Sequence, residues 1–249
     1  MVAVAATAVF LATRPAEDPS SGDAAPEAVV EAPVEPAPEP ERADHTVVLP
    51  DSGNRVVYVL PGEEVELHSA PGGQVLKTVG DETEFGSPHV FRVERVEGDW
   101  VGVPTPATDN GVLAWIRLDD RVLGAGPTPF SVEVDLSERR ATLVRGERPV
   151  RTFTVSIGAP GTETPTGRFA ITDSFRGGLN PAYGCCAVAL TAKQPNLPSG
   201  WLGGNRIAIH GTSGPLGDAI SSGCVRAADR DVGAIVDHAP LGAPVTIRQ

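Results

Sequence analysis

The chain has 249 residues, including 28 Gly and 24 Pro, with 41% hydrophobic and 5% aromatic residues and a formal net charge of −12. That length accommodates one or two small domains plus a linker, and the acidic balance argues against nucleic-acid binding, which requires a basic face. Three cysteines are too few for a disulfide-rich scaffold. The five histidines (His45, His68, His89, His210, His238) show no metal-ligand spacing, so neither a metal nor another cofactor is expected.

Residues 1–13, MVAVAATAVFLAT, are an apolar run followed by Arg14 and Pro15. The run is shorter than the roughly 20 residues of a spanning helix and lacks the basic start and cleavage site of a signal peptide. It reads as the remnant of a signal anchor that begins upstream, and therefore as a membrane tether; a disordered N-terminus is the alternative. Residues 14–44 alternate Pro, Glu and Ala, and between 15 and 44 nine acids face one Arg, about two-thirds of the net charge. Such a segment builds no core and reads as a disordered, acidic, Pro-rich linker.

From His45 to Gly124 the pattern is β. The runs VVYVL, EVELHSA, QVLKTV, HVFRVERV, DWVGV and VLAWIRL are separated by Pro-Gly, Gly-Gly, Gly-Asp and Asn-Gly turns. Short strands at this spacing suggest a small barrel or sandwich. A second β-rich domain is expected over 127–249, opening with three strands in SVEVDLSERRATLVRGERPVRTFTVSIG. A Gly/Pro/Thr loop, a strand at 168–172, a long loop ending in AYGCC, a buried strand CAVALT and a strand NRIAIHG follow. Asp229 is expected to cap a short helix with Val232, Ile235 and Val236 on one face, and Ala243–Ile247 closes the chain as a strand.

The most informative stretch is 207–226, IAIHGTSGPLGDAISSGCVR. It sets His210 at the end of an apolar run and Cys224 behind a Ser-Ser-Gly turn. A cysteine attacks as its thiolate, and a neighbouring imidazole is a usual activator; an ordinary buried thiol is the competing reading. Asp218, between the two, reads as a surface carboxylate rather than an orienting partner of His210. His238 reads as a cation at a helix end, and Thr164-Pro165-Thr166-Gly167 as a rigid turn. Cys185 and Cys186 read as two small buried side chains, the alternatives being a vicinal disulfide or a bond from one of them to Cys224.

Two resemblances follow from these residues. GDWVGVPTPATDNGVLAWIRLDD resembles bacterial SH3-like domains, which places an SH3-like barrel over 45–124 with Trp100 and Trp115 in its core. The order VDLSERRATLVRGERPVRTFTVSIG, TPTGRFAIT, AYGCCAVALT, IAIHGT, SSGCVR and a closing APVTI strand resembles the L,D-transpeptidase (YkuD-type) catalytic domain. That likeness covers 128–249 and implies a mainly β fold, a β-sandwich with a short helix.

The resemblance implies acyl transfer on peptidoglycan stem peptides, which serve as both donor and acceptor. Cys224 would be the nucleophile and His210 the general base and acid. The backbone N–H groups of Ser222, Gly223 and Cys224 would hold the oxyanion, and Gly211, Thr212, Arg226 and Tyr183 would contact substrate. Arg226 either pairs with a substrate carboxylate or braces its loop by binding backbone carbonyls. The family usually carries Ser-His-Gly-Cys where this chain has Ser221-Ser222-Gly223-Cys224. A peptidoglycan L,D-transpeptidase forming 3→3 cross-links outside the membrane is the expected function. An L,D-carboxypeptidase on the same site and a non-catalytic cell-wall binding protein are the alternatives. Oligomeric state is left open.

Overall fold

Short Val-, Ile- and Leu-rich runs broken by glycine turns favour pleated, half-buried strands. The computed structural model, described over residues 45–201 and 203–249, accordingly holds eighteen strands and one α-helix. The expected anchor (1–13) and linker (14–44) lie outside the described residues. No helix among the described residues is long and apolar enough to cross a membrane.

The first eight strands are β1 (Asn54–Val59), β2 (Glu64–His68), β3 (Val75–Gly80), β4 (Val90–Arg92), β5 (Arg95–Glu97), β6 (Trp100–Pro104), β7 (Leu113–Arg117) and β8 (Leu123–Thr128). They form two small sheets, ordered β4-β1-β8 and β3-β2-β7-β6-β5, around a core that includes Val57, Leu67, Val101, Val103 and Ile116. The run HVFRVERV, expected as one strand, serves both sheets. The Val93 N–H donates to the Arg55 carbonyl (2.8 Å) and the adjacent Glu94 N–H to the Gly102 carbonyl (2.9 Å), so the chain changes sheets between these residues. Trp115 is buried as expected, whereas Trp100 is only half-buried, with its indole edge-on to the His68 ring at 4.9 Å. The residues on either side of the expected boundary at 124–127 lie in β8, which pairs antiparallel with β1 along its whole length.

The second set is β9 (Phe130–Asp135), β10 (Arg140–Arg145), β11 (Arg148–Thr154), β12 (Ile157–Gly158), β13 (Gly167–Phe175), β14 (Ala187–Lys193), β15 (Arg206–Thr212), β16 (Ala219–Ser221), β17 (Val225–Ala228) and β18 (Pro244–Arg248). Eight of these make one mixed sheet, β11-β10-β9-β18-β13-β14-β15-β17. Strand β13 does two jobs in it. Its first part, Gly167–Ala170, pairs with β18, and its second, Ile171–Phe175, with β14, with a register shift near Ile171. The sheet turns there into two layers that share one core of Val132, Leu143, Ile171, Val188, Ile207, Ile209 and Ile235. Burying a side chain of this size is worth about 1.5–3 kcal/mol.

The helix α1 (Asp229–His238) packs on β14, β15 and β17 and buries Val232, Ile235 and Val236, as its spacing predicts. Asp229 does not cap it. The cap is Ala228, without a side-chain hydrogen bond, and the Asp229 carboxylate instead accepts the Cys185 N–H at 3.2 Å. His238 lies in the last turn, its ring stacked on Phe130 at 5.6 Å.

The two cores are joined by polar contacts. Arg206 of β15 pairs with Glu84 (2.6 Å), Glu94 with Arg168 (2.7 Å), and Thr83 donates to the buried Asp173 carboxylate. Asn110 makes a two-point bridge to the end of β14. Its Nδ2 donates to the Lys193 carbonyl (2.7 Å) and its Oδ1 accepts the Lys193 N–H (2.9 Å). Replacing Asn110 with Ala strips both Lys193 groups of their partner, so N110A is expected to lose about 1–3 kcal/mol of unfolding free energy, read from chemical denaturation of the full chain. An unchanged midpoint would show that this bridge contributes nothing.

Candidate active site

The site is built on the parallel pairing of β15 with β17, in which Ile209 is opposite Val225 and His210 opposite Arg226. Side chains alternate along a strand. Ile207 and Ile209 therefore enter the core, while Arg206, Ala208 and His210 share the other face. Cys224 immediately precedes β17, and its sulfur accepts the Ala208 N–H at 3.4 Å. One pairing thus brings thiol and imidazole together from positions 14 residues apart. A cleft of about 210 Å³ opens over them, lined by Tyr183, Gln194, Leu197, Trp201, Asn205, Arg206, His210, Ser221, Ser222, Cys224 and Arg226.

His210 is buried, and its Nδ1 lies 2.8 Å from the Gly211 carbonyl. A carbonyl only accepts, so Nδ1 carries the proton and Nε2 keeps a lone pair. Burial pushes the imidazole pKa below its ordinary value; the Gly211 carbonyl opposes this less strongly, and the Arg226 charge adds to the lowering. Burial pushes the Cys224 thiol up, against smaller downward pulls from the Ala208 N–H and Arg226. Both groups therefore rest neutral, a thiol and an imidazole lining one cleft.

The cysteine loop is held by buried polar side chains. Gln194 Nε2 reaches the carbonyls of Thr162, Glu163 and Ser222 at 3.1–3.2 Å. Thr164 Oγ1 accepts the Gly158 N–H (2.9 Å) and donates to the Gly223 carbonyl (2.8 Å). Ser221 Oγ donates to the Cys224 carbonyl (2.5 Å) and accepts the Gly223 N–H (3.2 Å). Gly223 has φ +113°, and a Cβ there would stand 2.2 Å from Gln194 Nε2, so both backbone conformation and space demand glycine.

Of the residues singled out in the sequence, the structure gathers Cys224, His210, Ser222, Arg226 and Tyr183 around the one cleft. Tyr183, in a 3-10 turn spanning Pro181–Tyr183, packs edge-on against the His210 ring at 4.8 Å. Gly211 and Thr212 do not line the cleft. Gly211 acts on His210 through its carbonyl, and Thr212 Oγ1 accepts the Gly214 N–H (3.0 Å). The Gly223 amide, expected among the oxyanion donors, is already engaged by Ser221 Oγ. Among the described residues the Arg226 guanidinium finds no backbone carbonyl to brace, and its buried Nε has no hydrogen-bond partner. The Asp218 carboxylate does not orient His210, whose Nδ1 partner is the Gly211 carbonyl.

The cysteine pair departs from the favoured expectation. Cys185 and Cys186 form a vicinal disulfide, and Cys224 is the free thiol. The turn after Gly184 leaves Cys185 exposed and Cys186 buried, with both sulfurs beside the Asp229 carbonyl at 3.4 and 3.9 Å. Among the described residues no group of three or more His, Cys, Asp and Glu side chains is placed to hold a metal ion. Gln194, Thr164 and Ser221 were not read from the sequence as site residues. The available signals were slight: a lone Gln after a buried strand, and a Thr in a loop already explained as a turn.

The model of the family described as the L,D-transpeptidase catalytic domain, YkuD, matches residues 129–247. The YkuD protein of Bacillus licheniformis is 31% identical over 155 residues, covering 59% of this chain and 78% of its own. That of Bacillus subtilis strain 168 is 29% identical over 123 residues, covering 49% and 67%. Among solved structures, an L,D-transpeptidase from Mycobacterium tuberculosis H37Rv is similar at 16% identity and a TM-score of 0.41, covering 55% of this chain and 73% of that one. The assignment to a family therefore rests on the sequence matches.

Two outcomes check the state of the thiol. Alkylation without reductant is expected to label Cys224 alone, and all three cysteines after reduction, as counted by mass spectrometry. The rate of Cys224 alkylation by iodoacetamide should climb into the alkaline range, with its inflection above that of an ordinary thiol. A step below about pH 7 would instead report a preformed thiolate–imidazolium pair.

Proposed function

The chain belongs to the L,D-transpeptidase (YkuD) catalytic-domain family, and on that premise we propose that it forms 3→3 cross-links in peptidoglycan through a thioester on Cys224. The observation that carries this reading is the free thiol on the same strand face as a neutral imidazole, inside a cleft. The Cys224 sulfur attacks the carbonyl between the third, diamino-acid residue of a tetrapeptide stem and its terminal D-residue, while His210 Nε2 takes the thiol proton. The tetrahedral intermediate collapses as that proton passes to the departing D-amino acid. The side-chain amine of a second stem, deprotonated by His210, then attacks the thioester, forming the new amide and restoring the thiol.

Arg226 fits the role of carboxylate anchor, since its guanidinium has no protein partner among the described residues and lies in the cleft. Its charge also favours the thiolate as the proton leaves. Tyr183 holds one edge of His210 in place. Ser222 supports catalysis through its backbone, because Gln194 fixes its carbonyl whatever side chain stands there. The acceptor decides between activities: an amine gives the cross-link, and water gives L,D-carboxypeptidase activity from the same thioester. On this reading the protein works in the cell envelope outside the membrane, tethered through its N-terminal segment, with residues 45–124 as an SH3-like module. The Cys185–Cys186 disulfide fits an oxidising compartment.

Purified full chain with a tetrapeptide stem is expected to release the terminal D-amino acid and to yield cross-linked dimers, read by mass spectrometry of muropeptides. Cys224→Ala should abolish both products, and His210→Gln should slow D-amino-acid release by about 10²–10⁴-fold. A carbapenem should leave a covalent adduct on Cys224. Release without dimers, at any acceptor concentration, would reassign the chain as a carboxypeptidase; wild-type levels of both products in C224A would refute thioester chemistry.

A further inference from the structure

The loop between β14 and β15 places an indole where the hydrophobic effect alone would not leave it. Trp201 is 43% exposed, and Leu197 beside it on the cleft wall is 40% exposed. The indole is not loose. Its Nε1 donates to the Gly204 carbonyl at 3.0 Å, and the Trp201 N–H donates to the Pro198 carbonyl at 3.1 Å. Gly203 lies against the ring, and a Cβ there would stand 2.9 Å from Nε1 and 3.2 Å from Cε2. The ring is thus fixed, its one donor is used, and what it offers a ligand is apolar surface.

The size of the cleft says which part of a substrate meets that surface. About 210 Å³ is less than the roughly 300–1,000 Å³ of a typical ligand pocket, so a tetrapeptide stem fills it only around the scissile bond and the remainder lies on the rim. Three residues separate that bond from the amino sugar that carries the stem, an extended reach of about 10 Å. The sugar consequently belongs at the rim and not at the thiol. Stem residues are small or charged, whereas a pyranose ring combines a flat face of C–H bonds with hydroxyl and acetamide groups. An immobilised indole next to the exposed Asn205 amide matches that combination.

We propose that Trp201 is a stacking platform for the N-acetylated amino sugar bearing the donor stem, making this chain selective for stems still attached to glycan. The proposal rests on the transpeptidase reading above and adds the carbohydrate to it. The test compares two donors on the full chain, a disaccharide-tetrapeptide and the free tetrapeptide, by the rate of D-amino-acid release. Wild type is expected to prefer the glycan-linked donor by roughly tenfold in kcat/KM, mostly through KM. Trp201→Ala should bring that ratio to about one, and Trp201→Phe should keep most of it. A wild-type ratio near one, or a ratio unchanged in W201A, overturns the proposal. Should neither donor react with wild type, the transpeptidase reading itself fails. The platform is then judged by titrating the N-acetylglucosaminyl-N-acetylmuramic acid disaccharide against intrinsic tryptophan fluorescence. A saturable change that W201F lacks supports it, and no change, or an equal change in W201F, refutes it.

Discussion

Everything at the candidate site depends on one constraint, the parallel pairing of β15 with β17. Adjacent parallel strands require a crossover between them, and here residues 213–224 make it, with the free thiol of Cys224 at its end. Because His210 lies opposite Arg226 and the Cys224 sulfur meets the Ala208 amide, cation, imidazole and thiol fall on one face without any of them adjusting. A shift of one residue in that register would turn His210 into the core. The apolar alternation of Ile207 and Ile209 guards against it.

Strand pairing leaves the crossover's last turn undetermined, and polar side chains complete it. Gln194, Thr164 and Ser221 are all nearly inaccessible, and each gives its hydrogen bonds to backbone of the loops around Cys224. Burying such groups is costly unless they are satisfied. Satisfied, they hold a backbone more narrowly than apolar packing does. This explains how the loop keeps its form with serine at 222. The loop's shape is set by side chains bonded directly to its backbone.

The β character and most strand positions were legible because a period of two survives in the sequence wherever one face is buried, as in SVEVDL and RTFTVSI. Cys224 and His210 were legible because each carries chemistry that few residues supply. Other features depend on atoms distant in the chain and leave little local trace. The sheet switch at Val93–Glu94 is decided by which carbonyl each amide meets. Asp229 looked like a helix cap, but the Cys185 amide claimed its carboxylate. Gln194 reaches Ser222 across 28 residues, and nothing in its own neighbourhood announces that. The joining of Cys185 and Cys186 was one of three readings that the sequence left open.

The neutral resting state of the Cys224 thiol has a consequence for its survival. Peroxides attack thiolates far faster than thiols, and the resulting sulfenic acid leads on to forms that are not readily reversed. A cysteine held permanently ionised is more open to that oxidation than a protonated one. Here burial holds the thiol in its protonated form. The burial that raises the Cys224 thiol therefore also lowers the share of the oxidation-prone thiolate.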